Sequence, residues 1–561
     1  MAAPNTSRPA PDAVPPSRSL PQGTEAGGGE TGSGWAGRPV LLSIAIILVA
    51  VLATFSRGIG NGFVWDDVQF IIRNPFLHDL SNLPRFFLSG DAAGTGGVNP
   101  YYRPLTTASF ALDYALWGDR AAGYHLTNIL FHLATCIALF FIVLRVTGRS
   151  AHALVGTLFF AVHPAHSEPV GYISARADLL CAFFLLLALL GFLRFADSNR
   201  RLPLLLSLAA FSLALFSKIV AMALVPMLVL YLEWFRRTGD RRWKALGPYL
   251  AISLAFLAIR SSILEMESWG AEPLPVRFAN AGIHLLHFLR NALVPVGLRV
   301  FYDLPQKTDP AAPSVIAAWA VLIGIGIAIV AEARRRPVVA FGIAWFFAAL
   351  LPVCGLVTVL YPSCIADRYL YIPLLGLALA IASTWNEIVK AGLFTRFRSR
   401  VLAIFGILAL ASSAGTAHRL PEWRDSLTFW SAAAEDAPRS LYVKDGLGAA
   451  YMEHQRIDDA ERILEEVIAL KSDSVQARIN LAGIEFRRGD LDKAEHHTLE
   501  VLQLEPSNPI ALVHLGAIKA ERGWTAESAA LFREALRLAP NYTAARENLE
   551  ELMRRTAGRE G

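Results

Sequence analysis

The chain has 561 residues, of which 54% are hydrophobic, and its mean hydropathy is +0.41. This composition excludes a soluble protein of this size and indicates several segments that cross a bilayer, each of which needs about 20 apolar residues. The net charge of +5 does not indicate nucleic-acid binding. Much of the basic charge lies in short loops between apolar segments, where it sets membrane topology.

The N-terminal segment, 1–39, is rich in Pro, Gly, Ser and Thr. It cannot bury an apolar core, so we predict a disordered segment on the cytoplasmic side. The apolar stretch that follows, 40–55, has no small-residue cleavage site. It is therefore interpreted as a retained signal anchor and as the first membrane span.

Residues 40–416 predict an all-α, polytopic membrane domain whose basic loops face the cytoplasm. Segment 277–297 is apolar enough to cross the bilayer, but a crossing there would place Arg334-Arg335-Arg336 outside. We therefore predict a re-entrant or interfacial helix within an outer loop, 264–313. About eleven spans remain, at 40–57, 124–145, 151–163, 170–194, 202–217, 219–235, 245–263, 314–332, 337–353, 369–389 and 401–416.

The C-terminal segment, 437–561, is polar and repeats with a period of 34 residues. Small residues where two helices cross are typical of tetratricopeptide repeats, which stack into an α-solenoid. We predict about three repeats and a capping helix at 541–555. Such arrays bind peptides along a concave face, and the alternative is a purely structural domain. The small residues that keep the period are Gly448, Ala482 and Gly516, and Ala460, Ala494 and Ser528.

Two adjacent carboxylates, Asp66 and Asp67, follow the first span in the predicted outer loop 58–123. Adjacent acids at a membrane surface beside Trp65 indicate a catalytic base. The alternative is a solvated loop pair or a helix N-cap. The sequence does not decide between the two carboxylates, and we favour Asp67 as the base with Asp66 orienting the site.

Other polar residues are predicted on the same outer face, where ionisable side chains near the membrane are costly and functional. His163, His166 and Glu168 are of residue types that bind metals. Pro164 interrupts any helix there, so hydrogen bonding to substrate or to the aspartates is favoured over a metal, and no cofactor is assigned. We assign a substrate-orienting role to His125, Asn128, His163, His166, Glu168 and Asp178.

Four cations accompany them, and we predict that they bind a lipid-linked phosphate and stabilise it as a leaving group. Interfacial anchoring and snorkelling toward headgroups are the alternatives. The chain has no G-x-x-x-x-G-K-[ST] loop, which argues against a soluble nucleotide donor. The implied chemistry is group transfer from a lipid phosphate. The four cations are Arg103, Arg176, Lys218 and Arg368.

These motifs in this order, together with the repeats, resemble the transmembrane and tetratricopeptide-repeat O-mannosyltransferases over roughly residues 58–561. The motifs are Trp65-Asp66-Asp67, Tyr102-Arg103-Pro104-Leu105, His125 with Asn128, the 163–178 stretch, Ser217-Lys218 and 367–373. The resemblance implies a GT-C glycosyltransferase that moves mannose or another hexose from a polyprenyl-phosphate donor to Ser/Thr hydroxyls of proteins on the non-cytoplasmic side. It also implies a catalytic carboxylate at Asp66 or Asp67, phosphate contacts from Arg and Lys, and acceptor presentation by the repeats.

Two features depart from the animal members that the family includes. The chain has only about three repeats, and its Ala/Arg-rich composition with short basic loops favours a bacterial member, in which the donor lipid and the sugar differ. The expected location is then the bacterial inner membrane, or the ER membrane in a eukaryote, with the site and the tail outside the cytoplasm. Alternative functions are a glycan- or lipid-directed transferase, polymerase or ligase, and a non-enzymatic membrane scaffold.

Overall fold

A computed structural model describes residues 37–89, 101–236, 241–264, 272–356, 365–540 and 542–560. Helices dominate these ranges, and they contain no β-strand. The all-α class predicted from the sequence is confirmed. The predicted disordered segment, 1–39, lies outside the described residues up to position 36.

Fifteen α-helices precede the C-terminal tail in the described ranges, and six segments are long and apolar enough to cross a membrane. Four shorter apolar segments coincide with predicted spans: Ser150–Ala161, Arg201–Ser217, Ile219–Phe235 and Pro337–Leu350. The helices are α1 (Arg38–Phe55), α2 (Leu83–Leu88), α3 (Pro104–Trp117), α4 (Ala121–Thr147), α5 (Ser150–Ala161), α6 (Ser167–Gly171), α7 (Arg176–Ser198), α8 (Arg201–Ser217), α9 (Leu224–Phe235), α10 (Leu246–Ile263), α11 (Leu274–Leu293), α12 (Pro313–Ala333), α13 (Pro337–Leu350), α14 (Tyr371–Lys390) and α15 (Leu393–Arg419).

The eleven-span count stays a prediction, because length and hydropathy select only part of that set. Helix α11 covers most of the segment read as interfacial, and it does not appear among the candidate spans found in the described ranges. It buries a stripe that includes Ala281, Leu285 and Phe288, while Leu274 and Phe278 are exposed. An apolar stripe on an otherwise mixed helix fits an interfacial position.

The centre of the membrane domain is formed by α4, α5, α7 and α14, and small residues let these helices approach closely. A Cβ atom on Gly342 of α13 would overlap the Gly376 carbonyl of α14, and one on Gly156 of α5 would overlap the Ala378 carbonyl. The hydrophobic effect contributes little to helix association within lipid. Close packing of the helix backbones therefore stabilises the association. This packing holds α7 and α14, whose N-terminal ends bear the polar motifs.

The tail continues as α16 (Ser426–Asp436) and then as antiparallel pairs. The small residues of the 34-residue period lie where predicted: a Cβ on Gly516 would be 2.6 Å from the Phe532 ring, and one on Gly448 would be 2.7 Å from Leu464. The predicted tetratricopeptide α-solenoid is confirmed. Its helices are α17 (Leu441–Glu453), α18 (Ile457–Leu470), α19 (Val475–Arg488), α20 (Leu491–Leu504), α21 (Pro509–Glu521), α22 (Thr525–Leu538) and α23 (Thr543–Glu560).

Candidate active site

The loop that follows α1 is fixed from two sides before it reaches the aspartates. The Asn61 side-chain amide donates to the Leu420 carbonyl at 2.9 Å, and the Gly62 amide donates to the Arg424 carbonyl at 2.8 Å. From helix α4, His125 Nε2 lies 3.3 Å from the Gly62 carbonyl. The connection between α15 and α16 therefore fixes this loop on one side, and His125 of α4 contacts its backbone on the other.

Asp67 is fully buried, and both of its carboxylate oxygens accept hydrogen bonds inside the protein. Oδ1 accepts from the Ser174 amide at 2.8 Å and from the Ser174 hydroxyl, and Oδ2 accepts from the Val64 amide at 3.1 Å. Burial raises the pKa of Asp67 to about 7, against the opposing effect of these donors. The contacts tie the loop to the turn that precedes α7.

Asp66 has a different environment, because its side chain is only partly buried and faces charged groups. Burial raises its pKa above 3.8, while the neighbouring Tyr172 hydroxyl, the Arg368 guanidinium and the Arg103 guanidinium lower it. Asp66 therefore lies within the electrostatic field of two of the four predicted cations. This combination of partial exposure and nearby positive charge is absent at Asp67.

Arg368 is held in place by Glu168. The sequence predicted a role for each residue but did not predict that they form a pair. The Arg368 amide donates to Glu168 Oε2 at 2.9 Å, and the guanidinium forms an ion pair with Oε1. Glu168 is 1% exposed and the Arg368 side chain is 20% exposed, so the carboxylate is buried while the cation stays partly accessible. The guanidinium also lies over the rings of Trp65, at 5.4 Å, and Tyr369, at 5.1 Å. Glu168 thus positions a cation.

Lys218 occupies the turn between α8 and α9, and its ammonium is 2.7 Å from both carboxylate oxygens of Asp178. Both side chains are nearly buried, with relative exposures of 7% and 5%. The ammonium also lies 5.2 Å from the centre of the Tyr369 ring. Tyr369 therefore contacts Lys218 and Arg368 alike, and the two predicted cations belong to one cluster.

Arg103 is the predicted cation that has no ion pair with a carboxylate in the described ranges. Its guanidinium lies 4.2 Å from the centre of the Tyr101 ring, and it lines a small cavity together with Ser174. Ser174 is the residue whose hydroxyl donates to Asp67. Arg103 therefore lines a small cavity that also contains Ser174, the hydrogen-bond partner of Asp67.

Arg176 differs from the other three cations in having no exposure at all, and its predicted role in phosphate binding stays a prediction. The side chain has no exposure and forms an ion pair with Asp113 at 2.6 Å. Its remaining donors reach the Asn128 side chain at 2.7 Å and the Tyr124 carbonyl at 2.9 Å. Asn128 in turn donates to the Tyr172 carbonyl at 3.3 Å. Arg176 and Asn128 therefore stabilise the turn before α7.

The two histidines of the 163–178 stretch lie among apolar and backbone groups. His163 Nδ1 accepts from the Ala165 amide at 3.2 Å, and its Nε2 lies 3.1 Å from the Ala292 carbonyl. His166 packs against Phe160 and Tyr371, with ring centres 4.5 Å and 4.7 Å away. Among the described residues, no three His, Cys, Asp or Glu side chains are placed to hold a metal ion. A substrate contact by either histidine stays a prediction.

Several residues of the site were not predicted individually. Tyr172 and Ser174 fall inside the quoted 163–178 stretch, but no spacing rule links them to the aspartates more than 100 positions earlier. Asp367, also inside a quoted motif, is fully buried and bonds the Tyr302 hydroxyl and Arg419, each at 2.8 Å. Only the folded chain brings these groups together.

Comparison with known proteins links both parts of the chain to described families. Residues 100–264 match the family model of dolichyl-phosphate-mannose-protein mannosyltransferases, and residues 446–509 match a tetratricopeptide repeat model. The first match contains Arg103, Glu168, Asp178 and Lys218. Asp66 and Asp67 lie outside it.

Among curated proteins, the chain is 26% identical to the protein O-mannosyl-transferase F38B6.6 of Caenorhabditis elegans over 451 residues, which cover 76% of this chain and 61% of that protein. It is 23% identical to human protein O-mannosyl-transferase TMTC3, over 79% of this chain and 53% of that protein. The match to human TMTC4 is 34% identical but covers 29% of this chain and 24% of that protein.

The chain therefore spans 61% and 53% of the length of the first two relatives. The matches name the same kind of enzyme as the motifs do, and they join a mannosyltransferase model to a repeat model in the predicted order. A bacterial origin stays a prediction. The recognition made from the motifs is confirmed: this chain is related to the transmembrane and tetratricopeptide-repeat protein O-mannosyltransferases.

Proposed function

We propose that the chain is a membrane glycosyltransferase that moves mannose or another hexose from a polyprenyl-phosphate donor to Ser/Thr hydroxyls of proteins outside the cytoplasm. The relatives named protein O-mannosyl-transferase support the reaction class. The cation cluster supports a phosphate-bearing donor, because preorganised positive charge stabilises a departing phosphate. The several apolar helices support a lipid-linked donor reached within the membrane plane.

The observation that carries the proposal is the position of Asp66, a partly exposed carboxylate beside Arg368 and Arg103. A general base must reach the acceptor hydroxyl, and Asp66 is the partly exposed member of the pair, with two cations beside it. The neighbouring cations are placed to hold the anionic leaving group. Base and anion site thus lie side by side, as transfer between two bound substrates requires.

We assign the base to Asp66 and a supporting role to Asp67, the reverse of the preference drawn from the sequence. Both oxygens of Asp67 accept hydrogen bonds from Ser174 and Val64, and the side chain has no exposure. A proton acceptor must reach the hydroxyl of a bound acceptor within hydrogen-bond distance. Asp67 instead fixes the loop from which Asp66 projects.

In the reaction, the acceptor hydroxyl oxygen forms a bond to the anomeric carbon of the sugar while its proton passes to Asp66. The bond between the anomeric carbon and the phosphate oxygen breaks, and the electron pair leaves with the phosphate. Arg103, Lys218 and Arg368 stabilise that charge. Asp178 and Glu168 hold Lys218 and Arg368 in position through their ion pairs.

The test is sugar transfer by the purified protein in vesicles that contain mannosyl-phosphoryl polyprenol, with a Ser/Thr peptide as acceptor. We expect Asp66→Asn to lower kcat by about 10²- to 10⁴-fold, whereas the exposed Asp119→Asn keeps wild-type activity as a matched control. Full activity of Asp66→Asn contradicts the proposed base. Transfer to a lipid or glycan acceptor with none to peptides favours the glycan-directed alternative.

A further inference from the structure

The loop that carries Asp66 is in direct contact with the first helix of the repeat array. The Trp65 indole N–H donates to the Tyr442 hydroxyl at 2.9 Å, and Tyr442 is the second residue of α17. The indole stacks with Tyr172, with ring centres 5.5 Å apart, and with Phe429 of α16, with ring centres 5.3 Å apart. The tail therefore reaches the residue adjacent to the proposed base.

Trp65 adopts a backbone conformation that bulky residues rarely take. Its φ is +53°, in the left-handed region. Such a conformation persists only where the surrounding contacts fix it. The peptide unit between Trp65 and Asp66 sets the direction in which the Asp66 side chain leaves the backbone. The contacts that hold Trp65 therefore also direct that carboxylate.

We propose that the hydrogen bond between Trp65 and Tyr442 is a positioning contact through which the repeat array directs Asp66 toward the acceptor hydroxyl. The inference rests on the proposed function, in which Asp66 is the base. It makes the tail part of the catalytic arrangement, beyond any role in binding the acceptor. Trp65 and Tyr442 act through Asp66 and are positioning residues.

Tyr442→Phe is the cleanest perturbation, because it removes one hydroxyl and keeps the ring that stacks on Phe301 with centres 5.9 Å apart. Trp65→Phe removes the indole donor but also the ring beneath the Arg368 guanidinium, so it disturbs the donor side as well. Tyr451→Phe in the same helix is the matched control. Its hydroxyl has no hydrogen-bond partner among the residues that the structure describes.

We expect Tyr442→Phe to lower kcat about tenfold, the factor expected for one lost hydrogen bond. The KM values for donor and acceptor should stay unchanged, because neither binding site loses a contact. The double variant Trp65→Phe with Tyr442→Phe should match Trp65→Phe alone, since either change removes the same bond. Wild-type kcat in Tyr442→Phe, or additive losses in the double variant, overturns the inference.

Hydrogen exchange of the loop amides gives a readout that needs no activity. In Tyr442→Phe the amides of residues 62–68 should exchange faster than in the wild-type protein, and in Tyr451→Phe they should not. If the wild-type protein transfers no sugar, the proposed function fails and the exchange result alone decides whether the tail holds this loop. Unchanged exchange in Tyr442→Phe overturns the inference in that case too.

Discussion

The buried pair of Lys218 and Asp178 provides a test that separates stability from catalysis. Asp178→Asn removes the only charge that the ammonium contacts among the described residues, at 2.7 Å from both oxygens. With an effective dielectric constant of about 20, two charges this close attract by roughly 6 kcal/mol. After desolvation, breaking a buried pair from one side costs about 3–5 kcal/mol. We expect that loss in the free energy of unfolding, measured in detergent by denaturant titration.

The double variant Asp178→Asn with Lys218→Met removes both charges and serves as the internal control. We expect it to recover most of the stability, because no unpaired charge stays buried. It should not recover sugar transfer, since the proposed phosphate contact of Lys218 is lost. Wild-type stability of Asp178→Asn would refute the assigned ion pair. Restored transfer in the double variant would refute the role of Lys218 in donor binding.

Three further outcomes are expected. Arg103→Ala should lower kcat/KM for the donor by about 10- to 100-fold, the equivalent of one charge-assisted hydrogen bond, without lowering the unfolding midpoint; an unchanged donor KM contradicts its role. Gly516→Ala should destabilise the tail by about 1–3 kcal/mol, because its Cβ would meet the Phe532 ring at 2.6 Å; Gly483→Ala, whose Cβ would have ordinary contacts, should not. A plot of kcat against pH should have an acid limb above pH 3.8, since the base must be ionised and burial raises the pKa of Asp66; a flat profile argues against it.

The fold followed from the sequence because its signals are local and repeated. Apolar stretches of helical length predicted the membrane helices, and the 34-residue period predicted the solenoid down to the contact between Gly516 and Phe532. The number of membrane spans could not be predicted from these signals. Helices of 12 to 17 residues such as α5 and α8 are too short for a length criterion, and their depth depends on neighbours that periodicity does not reveal.

The site followed only in part, because residue type and loop position do not determine which charge pairs with which. Lys218 and Asp178 were both selected, 40 positions apart, but their contact required the packing of α7 against α8. Arg176 had the same sequence signal as Arg103 and proved to be buried against Asp113. A buried arginine and a ligand-facing arginine look alike until their partners are known.

The two aspartates differ in a way that pH can reveal. The folded-state pKa of Asp67 is about 7, against 3.8 in an unfolded chain, because burial disfavours its charge. Between those values the folded protein holds a proton that the unfolded chain has released. The contribution of Asp67 to stability is therefore fully present below pH 3.8, falls as pH rises, and is lost above about pH 7.

One pKa unit corresponds to about 1.4 kcal/mol, so the full change between pH 3.8 and pH 7 is about 4 kcal/mol. Asp67→Asn abolishes this titration, because Asn does not ionise. The comparison therefore depends on how the stability difference changes with pH and not on the absolute stability of the variant. We therefore expect the unfolding free energy of the wild-type protein, relative to Asp67→Asn, to be larger at pH 5 than at pH 8, as measured by denaturant titration in detergent. A difference that does not change with pH contradicts the burial argument. Asp67 would then be an ordinary ionised carboxylate, and the case for Asp66 as the base would have to rest on its neighbouring cations alone.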